Sequence, residues 1–122
     1  MVDFKLKAHP PVIFAYSPNY VEVMIRLENP QSPCWAEADI SVPERLSLSP
    51  EGSLRKGRVR IGIVGEKEYI EKAIRVYANN YTNPQVYRCK IILYVYDKDG
   101  VISSRMEKPV DIRCEAKKES VI

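Results

Sequence analysis

The residue types that carry out most enzyme chemistry are sparse in this sequence. The single histidine, His9, precedes two prolines, and one histidine cannot hold zinc without cysteine or carboxylate ligands at suitable spacing. A nucleophilic pair of His9 with Cys34 or Cys89 would require two distant loops to meet. The five glycines form neither G-x-G-x-x-G nor G-x-x-x-x-G-K, the spacings of phosphate-binding loops. The sequence therefore predicts a protein that is not an enzyme and that holds no cofactor or metal.

The three cysteines, Cys34, Cys89 and Cys114, include no C-x-x-C pair. Cys89 and Cys114 fall at inward positions of predicted strands, where a free cysteine acts as a small hydrophobic residue. A thiol in apolar surroundings ionises poorly and is a weak nucleophile. We expect three reduced, buried thiols in a reducing compartment. One disulfide with a spare thiol is the alternative, and a reactive thiol is a third interpretation.

Two groups of acidic residues have a spacing that could serve a calcium site or an acid–base pair. Asp97–Gly100 begins like a calcium loop, but the apolar Val101 and Ile102 follow where further oxygen ligands are needed. A hairpin turn with Gly100 at positive φ explains this segment better. Glu37 and Asp39 share one strand face, and acid–base catalysis would require one of them to be desolvated in a pocket. The sequence predicts ordinary exposed carboxylates on a sheet surface.

The dominant pattern is an alternation of apolar and polar residues with a period of two, which is typical of strands with one buried face. In Val21–Glu28 the odd positions are apolar and most even ones are charged. On the strand Val86–Asp97 the inward set includes Ile91, Leu93 and Val95. The other alternating segments are Phe4–Leu6, Cys34–Val42, Val59–Ile63 (with Ile63 predicted to face inward), the segment from about Glu71 to Ala78, and Val110–Ala116.

Clusters of proline, serine and asparagine interrupt this alternation at short intervals, which favours about seven antiparallel strands in two stacked sheets. The segment Glu66–Lys72 is ambiguous, because Glu68 and Lys72 have a helix-supporting spacing. Ile70, Ile74 and Val76 could instead line one face of a strand. We favour a strand from about Glu71 and leave the preceding turn open.

Length and composition limit the whole chain. Its 122 residues suit one all-β domain, with residues 1–19 as an edge strand and proline-rich lead-in and residues 20–116 as the core. An apolar fraction of 45% and a charged fraction of 29% exclude a disordered or fibrous chain. No apolar run is long enough to span a bilayer, and the charged start is unlike a secretion signal. We expect a cytoplasmic protein, or an extracellular one only if the chain was cut from a longer protein. Two glutamines among many charged residues hint at a thermophilic source.

The segment Asn83–Cys89 resembles the beginning of strand F in immunoglobulin-like domains. There a tyrosine two residues before a cysteine, here Tyr87, hydrogen-bonds back to the preceding corner. Over about residues 20–103 the layout is similar to adhesion-related and glycosidase-associated Ig-like modules, with Leu27–Pro30 and Gly65-Glu66 at the corresponding turns. The resemblance implies an immunoglobulin-like antiparallel β-sandwich, a module that binds or spaces rather than catalyses.

One sheet face is a candidate binding surface. The outward side chains of Val86–Asp97 include more aromatic and apolar residues than solubility requires. The resemblance to Ig-like sandwiches implies that the sheet neighbours of this strand hold Trp35 and Arg113. Tryptophan, tyrosine and arginine anchor many protein interfaces. The predicted partner-binding residues are Trp35, Arg88, Lys90, Ile92, Tyr94, Tyr96 and Arg113. The partner is another protein or a second copy of this chain; alternatively, residues 12–16 or 121–122 cover the face.

Binding of single-stranded nucleic acid is the second functional hypothesis. Aromatic residues on a sheet can stack bases, and cations can contact phosphates. The candidate cations are Arg58, Arg60, Arg75, Arg88, Lys90, Arg113, Lys117 and Lys118. The formal charge of only +3, interleaved glutamates and the lack of an aromatic RNA-binding signature make it the less favoured hypothesis.

Overall fold

The computed structural model describes residues 2–116, and these residues form strands without any helix. The strands are β1 (Asp3–His9), β2 (Val12–Phe14), β3 (Asn19–Glu28), β4 (Cys34–Ser41), β5 (Leu46–Ser47), β6 (Lys56–Val64), β7 (Tyr69–Ala78), β8 (Gln85–Tyr96) and β9 (Ile102–Glu115). The predicted all-β class is confirmed. The count of seven strands is not confirmed, since residues 2–116 contain nine, and two of them, β2 and β5, are too short to show alternation.

The strands are arranged in two sheets. Sheet A has the order β1-β3-β7-β5, and sheet B has the order β2-β9-β8-β4-β6. All neighbours are antiparallel except β2 and β9, which run parallel. In the part of the chain that the structure describes, no helix has the length and apolar character needed to cross a membrane.

The hydrophobic core lies between the inward faces of β3, β4 and β8, where the alternation is strict. Val21, Val23, Ile25 and Leu27 of β3 are buried, as are Cys34, Ala36, Ala38 and Ile40 of β4. On β8 the inward set is Tyr87, Cys89, Ile91, Leu93 and Val95. The predicted orientation of these three strands is confirmed.

The predicted orientation of Ile63 is wrong, because β6 contains a β-bulge. The pairing with β4 shifts so that Glu37 lies opposite Arg60 while Ala36 lies opposite Gly62, leaving Ile61 as the extra residue. Gly62 has a φ of +132°, a backbone conformation that L side chains rarely adopt. Beyond the bulge the two faces exchange, so Ile61 is buried and Ile63 is 80% exposed.

The ambiguous segment before β7 is a turn that leads directly into the strand. The Glu68 N–H donates to the Gly65 carbonyl at 3.1 Å, and Lys67 has a positive φ of 60°. β7 begins at Tyr69, two residues earlier than expected. The helical alternative is therefore wrong, and the preference for a strand is confirmed.

Asp97–Gly100 forms the predicted hairpin turn between β8 and β9. The Gly100 N–H donates to the Asp97 carbonyl at 3.0 Å, and Gly100 has a φ of 77°. The Asp97 carboxylate Oδ1 accepts hydrogen bonds from the Asp99 and Val101 N–H groups at 2.9 and 3.0 Å. The carbonyl and carboxylate oxygens of Asp97 therefore accept hydrogen bonds from the backbone of the turn, as the hairpin interpretation requires.

Tyr87 closes the corner before β8 in the way that the resemblance to Ig-like domains implies. Its side chain is buried, and its hydroxyl lies 2.9 Å from the Asn83 carbonyl oxygen and 3.1 Å from the Asn83 backbone nitrogen. The hydroxyl can donate to the first and accept from the second. The loop is thereby fixed to the first buried residue of the strand.

Candidate protein-binding face

The seven predicted site residues all lie on the outer face of sheet B, on the adjacent strands β4, β8 and β9. Trp35 lies opposite Tyr96 across β4 and β8, and Arg113 lies opposite Val86 across β8 and β9. Arg88, Lys90, Ile92 and Tyr94 follow at every second position of β8. The structure divides these residues into an aromatic end at the Trp35 side of the sheet and a charged end at the Arg113 side.

The aromatic end is built around the contact between Trp35 and Tyr96. Their rings are stacked, with centroids 4.0 Å apart and an interplanar angle of 12°. Ile63 of β6 is the register partner of Trp35, and Ile102 of β9 is the register partner of Tyr96. The four side chains therefore form one line across four strands, and we call Ile63, Trp35, Tyr96 and Ile102 the apolar row.

The two ends of the apolar row are its most accessible parts. Ile63 is 80% exposed and Ile102 is 53% exposed, while Trp35 and Tyr96 are half-buried against each other. Val101, next to Ile102 at the hairpin, is also exposed. Because these exposed apolar side chains lie side by side, the row is a candidate contact surface.

Neither isoleucine was among the residues predicted for the site. Ile63 was assigned to the core because a regular alternation from Val59 points it inward. The sequence signal that could have corrected this is Gly62, since glycine within a strand often marks a bulge. Ile102 was not assigned to a strand because the alternation predicts the last strand only over Val110–Ala116, although β9 begins at Ile102.

Arg58 on β6 holds Tyr94 and two carboxylates of β4 in one cluster. Its Nε lies 2.6 Å from Asp39 Oδ1, its Nη1 lies 3.5 Å from Glu37 Oε2, and its guanidinium carbon is 5.3 Å from the centroid of the Tyr94 ring. The hydrogen bond from Arg58 lowers the pKa of Asp39. Glu37 and Asp39 are thus half-buried partners of an arginine rather than freely exposed carboxylates, and neither is desolvated in a pocket as a catalytic acid would be.

Cations at the charged end of the face are paired with neighbouring carboxylates. Arg88 Nε lies 2.9 Å from Asp111 Oδ1, and this hydrogen bond lowers the pKa of Asp111. Lys90 Nζ lies 3.6 Å from a Glu107 oxygen. Arg113 pairs in the same way with Glu115, also at 3.6 Å. Each of the three predicted cations is therefore offset by the negative charge of a neighbouring carboxylate.

Residues 12–16 do not cover the face. Residues 12–14 form β2, which pairs with β9 and extends sheet B sideways, with Ile13 and Ala15 buried. The alternative that this segment covers the outer face of sheet B is wrong. The segment is itself part of the sheet, and its buried side chains point into the core. The other proposed cover, residues 121–122, lies outside the described residues, as do the candidate phosphate contacts Lys117 and Lys118.

The remaining reactive groups form no second site. Cys34, Cys89 and Cys114 are free and buried, and burial raises the pKa of the Cys89 thiol to about 12. His9 is exposed on β1. Within residues 2–116 no three His, Cys, Asp or Glu side chains are placed to hold a metal ion.

Comparison with known proteins gives a similarity of fold only. No known family matches the sequence, and no curated protein matches it. The chain is similar to the sporulation control protein Spo0M from Bacillus subtilis, with a TM-score of 0.51 and 9% sequence identity. This match covers 95% of the present chain and 50% of Spo0M, so the chain spans about half the length of that relative. A protein from Archaeoglobus fulgidus matches 96% of the chain with a TM-score of 0.40 and 6% identity.

Proposed function

We propose that this protein is a non-catalytic module that binds another protein chain, or spaces domains, through the outer face of sheet B. The apolar row is the observation that supports this function best. It places a tryptophan and a tyrosine between two exposed isoleucines, with the ion pairs of Arg58 on one side of the row. Interfaces commonly combine such an apolar centre with a polar rim.

The geometry of the row suits a binding site because its large side chains are already ordered. Trp35 and Tyr96 stack on each other, and Tyr94 lies beside the guanidinium of Arg58. Ordered aromatic side chains lose little conformational entropy when a partner covers them. Each buried anchor of this type can supply a large share of the binding energy.

A protein partner suits this face better than single-stranded nucleic acid. Phosphate groups would have to displace the carboxylates that already pair with Arg58, Arg88, Lys90 and Arg113. Trp35 and Tyr96 also cover one face of each other's ring, which leaves less aromatic surface for stacking on bases. The residues proposed to contact the partner are therefore the apolar row together with Ile92 and Tyr94.

The sandwich type and the location follow as parts of the same proposal. The Tyr87 corner supports an immunoglobulin-like arrangement of the two sheets, since that corner is characteristic of those domains. Three buried free thiols support a reducing compartment such as the cytoplasm.

The double substitution Trp35→Ser and Tyr94→Ser tests this function. The immobilised wild type is used to capture proteins from an extract of the source organism, and each captured protein is then purified and titrated. Affinity should fall by about thirtyfold or more in the double variant, because two central aromatic anchors are removed. A variant with Tyr20→Ser and Tyr81→Ser, which removes exposed aromatics elsewhere, should bind normally.

Circular dichroism establishes that both variants fold, and sedimentation of the wild type shows whether the partner is a second copy of the chain. Capture of the same proteins with the same affinity by both variants would refute the proposed function.

A further inference from the structure

The outermost strand of sheet B leaves part of its backbone without a neighbour. β6 ends the sheet and is paired, within residues 2–116, only with β4. The Val42 N–H donates to the Arg55 carbonyl at 2.9 Å, so the backbone groups of Arg55 point toward β4. In an antiparallel ladder every second residue of a strand points its backbone groups toward the same neighbour. The backbone N–H and C=O groups of Lys56, Arg58 and Arg60 therefore point to the open side.

The side chains of the same three residues give this edge a positive charge. Lys56, Arg58 and Arg60 are all exposed and share the outer face of the sheet. Arg58 is engaged by Asp39 and Glu37. No ion pair among the described residues involves Lys56 or Arg60. The open edge thus combines unpaired backbone groups with two further cations. Lys56 lies opposite Ser41, and Arg60 lies opposite Glu37, whose carboxylate contacts Arg58 instead.

We propose that this edge binds an extended acidic segment of another protein by strand addition. The backbone of the segment would pair with the N–H and C=O groups of Lys56, Arg58 and Arg60. Carboxylates at alternate positions of the segment would lie opposite Lys56 and Arg60, where opposite charges across a strand pair are favourable. This site is separate from the apolar row, and the inference does not depend on the proposed function.

A second copy of the chain is a poor occupant of the same edge. In an antiparallel two-fold pairing centred on Arg58, each Arg58 would face its copy and each Lys56 would face Arg60. Like charges directly opposite each other destabilise a strand pair. The cations and the bulge at Ile61 therefore protect the edge from self-association, and the same cations attract a strand that carries carboxylates.

The pairing surface is confined to residues 56–60 by the geometry beyond them. The bulge at Ile61 ends the regular ladder, because the extra residue exchanges the two faces of the strand from that point on. An added strand would therefore contact about five residues of β6. A segment of this length with two or three alternating acidic residues is the expected ligand.

Titration with synthetic peptides tests the proposal. The probe is a fluorescein-labelled ten-residue peptide that alternates threonine and glutamate, followed by fluorescence anisotropy. One control peptide replaces every glutamate by lysine, and the other has the same composition with the glutamates in one block. The alternating acidic peptide should bind about tenfold or more tightly than either control, because only it matches both the charge and the two-residue period of the edge.

Charge reversal on the protein locates the binding. Lys56→Glu with Arg60→Glu should weaken binding of the acidic peptide by about tenfold or more. The matched variant Lys7→Glu with Lys72→Glu makes the same change in net charge on exposed strand residues of sheet A and should bind as the wild type does. Equal affinity of all three proteins for the peptide would overturn the assignment to β6.

Amide hydrogen exchange separates strand addition from attraction of charges alone. Saturating peptide should slow exchange of the Lys56, Arg58 and Arg60 amides, since these are the N–H groups on the open side. Peptide binding without this protection, tighter or equal binding of either control peptide, or no binding at all would each overturn the proposal. The Trp35→Ser, Tyr94→Ser variant should bind the peptide normally, so a failure of the proposed function is distinguishable from a failure here.

Discussion

Arg58 links three neighbours on the outer face of sheet B. It donates hydrogen bonds to Asp39, lies 3.5 Å from a Glu37 oxygen and sits beside the Tyr94 ring. The sequence predicted an exposed carboxylate pair and an outward tyrosine but not the arginine that joins them. Residues from three separate strands meet here because of the registers of β4 with β6 and with β8, which no local pattern in the sequence reveals.

The Tyr87 hydroxyl is the residue-scale feature that the sequence did predict, and its contribution can be measured. Tyr87→Phe should lower the free energy of unfolding by about 1–2 kcal/mol, because the Asn83 carbonyl and N–H lose their partner. Urea denaturation gives this difference. Tyr81→Phe is the matched control, since Tyr81 is 77% exposed and should unfold as the wild type does. Equal unfolding midpoints for both variants would contradict the role of the corner.

At the scale of the element, β6 differs most from its sequence-based description. The regular alternation of Val59, Ile61 and Ile63 predicts one buried face, but the bulge exchanges the faces after Ile61. By contrast, β3, β4 and β8 follow their alternation without interruption, and their inward residues were predicted correctly. β2 and β5 were not predicted because strands of three and two residues carry no periodic signal.

The bulge depends on Gly62, and replacing this glycine tests that dependence. Gly62→Ala should destabilise the protein by about 1–3 kcal/mol, because a φ of +132° is strained for any residue with a Cβ. The new Cβ would also press on Ile70 Cδ1, although that side chain can move. Thermal and urea unfolding measure the loss.

Gly57→Ala is the control on the same strand. Gly57 has no positive φ, and its Cβ would meet only Leu48 Cδ1 at 3.3 Å. We therefore expect a smaller loss than at Gly62. A Gly62→Ala protein as stable as the Gly57→Ala protein would show that the bulge does not need glycine.

At the scale of the whole molecule, the sequence predicted the all-β class, the burial of the cysteines and the outward face of β8, which carries five of the candidate site residues. Each of these depends on period-two alternation, which is a local property of the chain. The division of the site into an aromatic end and a charged end was not predicted. It depends on the register of β8 with its neighbours and on the register shifts within the β4–β6 and β8–β9 pairs.

The structure also shows where the paired and unpaired cations of sheet B lie. Arg58, Arg88, Lys90 and Arg113 on the outer face of sheet B are paired with carboxylates, whereas Lys56 and Arg60 at its edge form no ion pair among the described residues. The molecule therefore presents two distinct surfaces, an apolar row on one face and a cationic edge beside it.

Site-specific photocrosslinking tests the central claim, that the apolar row contacts a partner protein, most directly. A benzophenone amino acid replaces Ile63 in one protein and Tyr20, an exposed aromatic residue of sheet A, in another. Both proteins are irradiated in extract from the source organism. We predict a discrete covalent adduct with one polypeptide from position 63 and none from position 20. Identical adducts from both positions, or none from position 63, would contradict the claim.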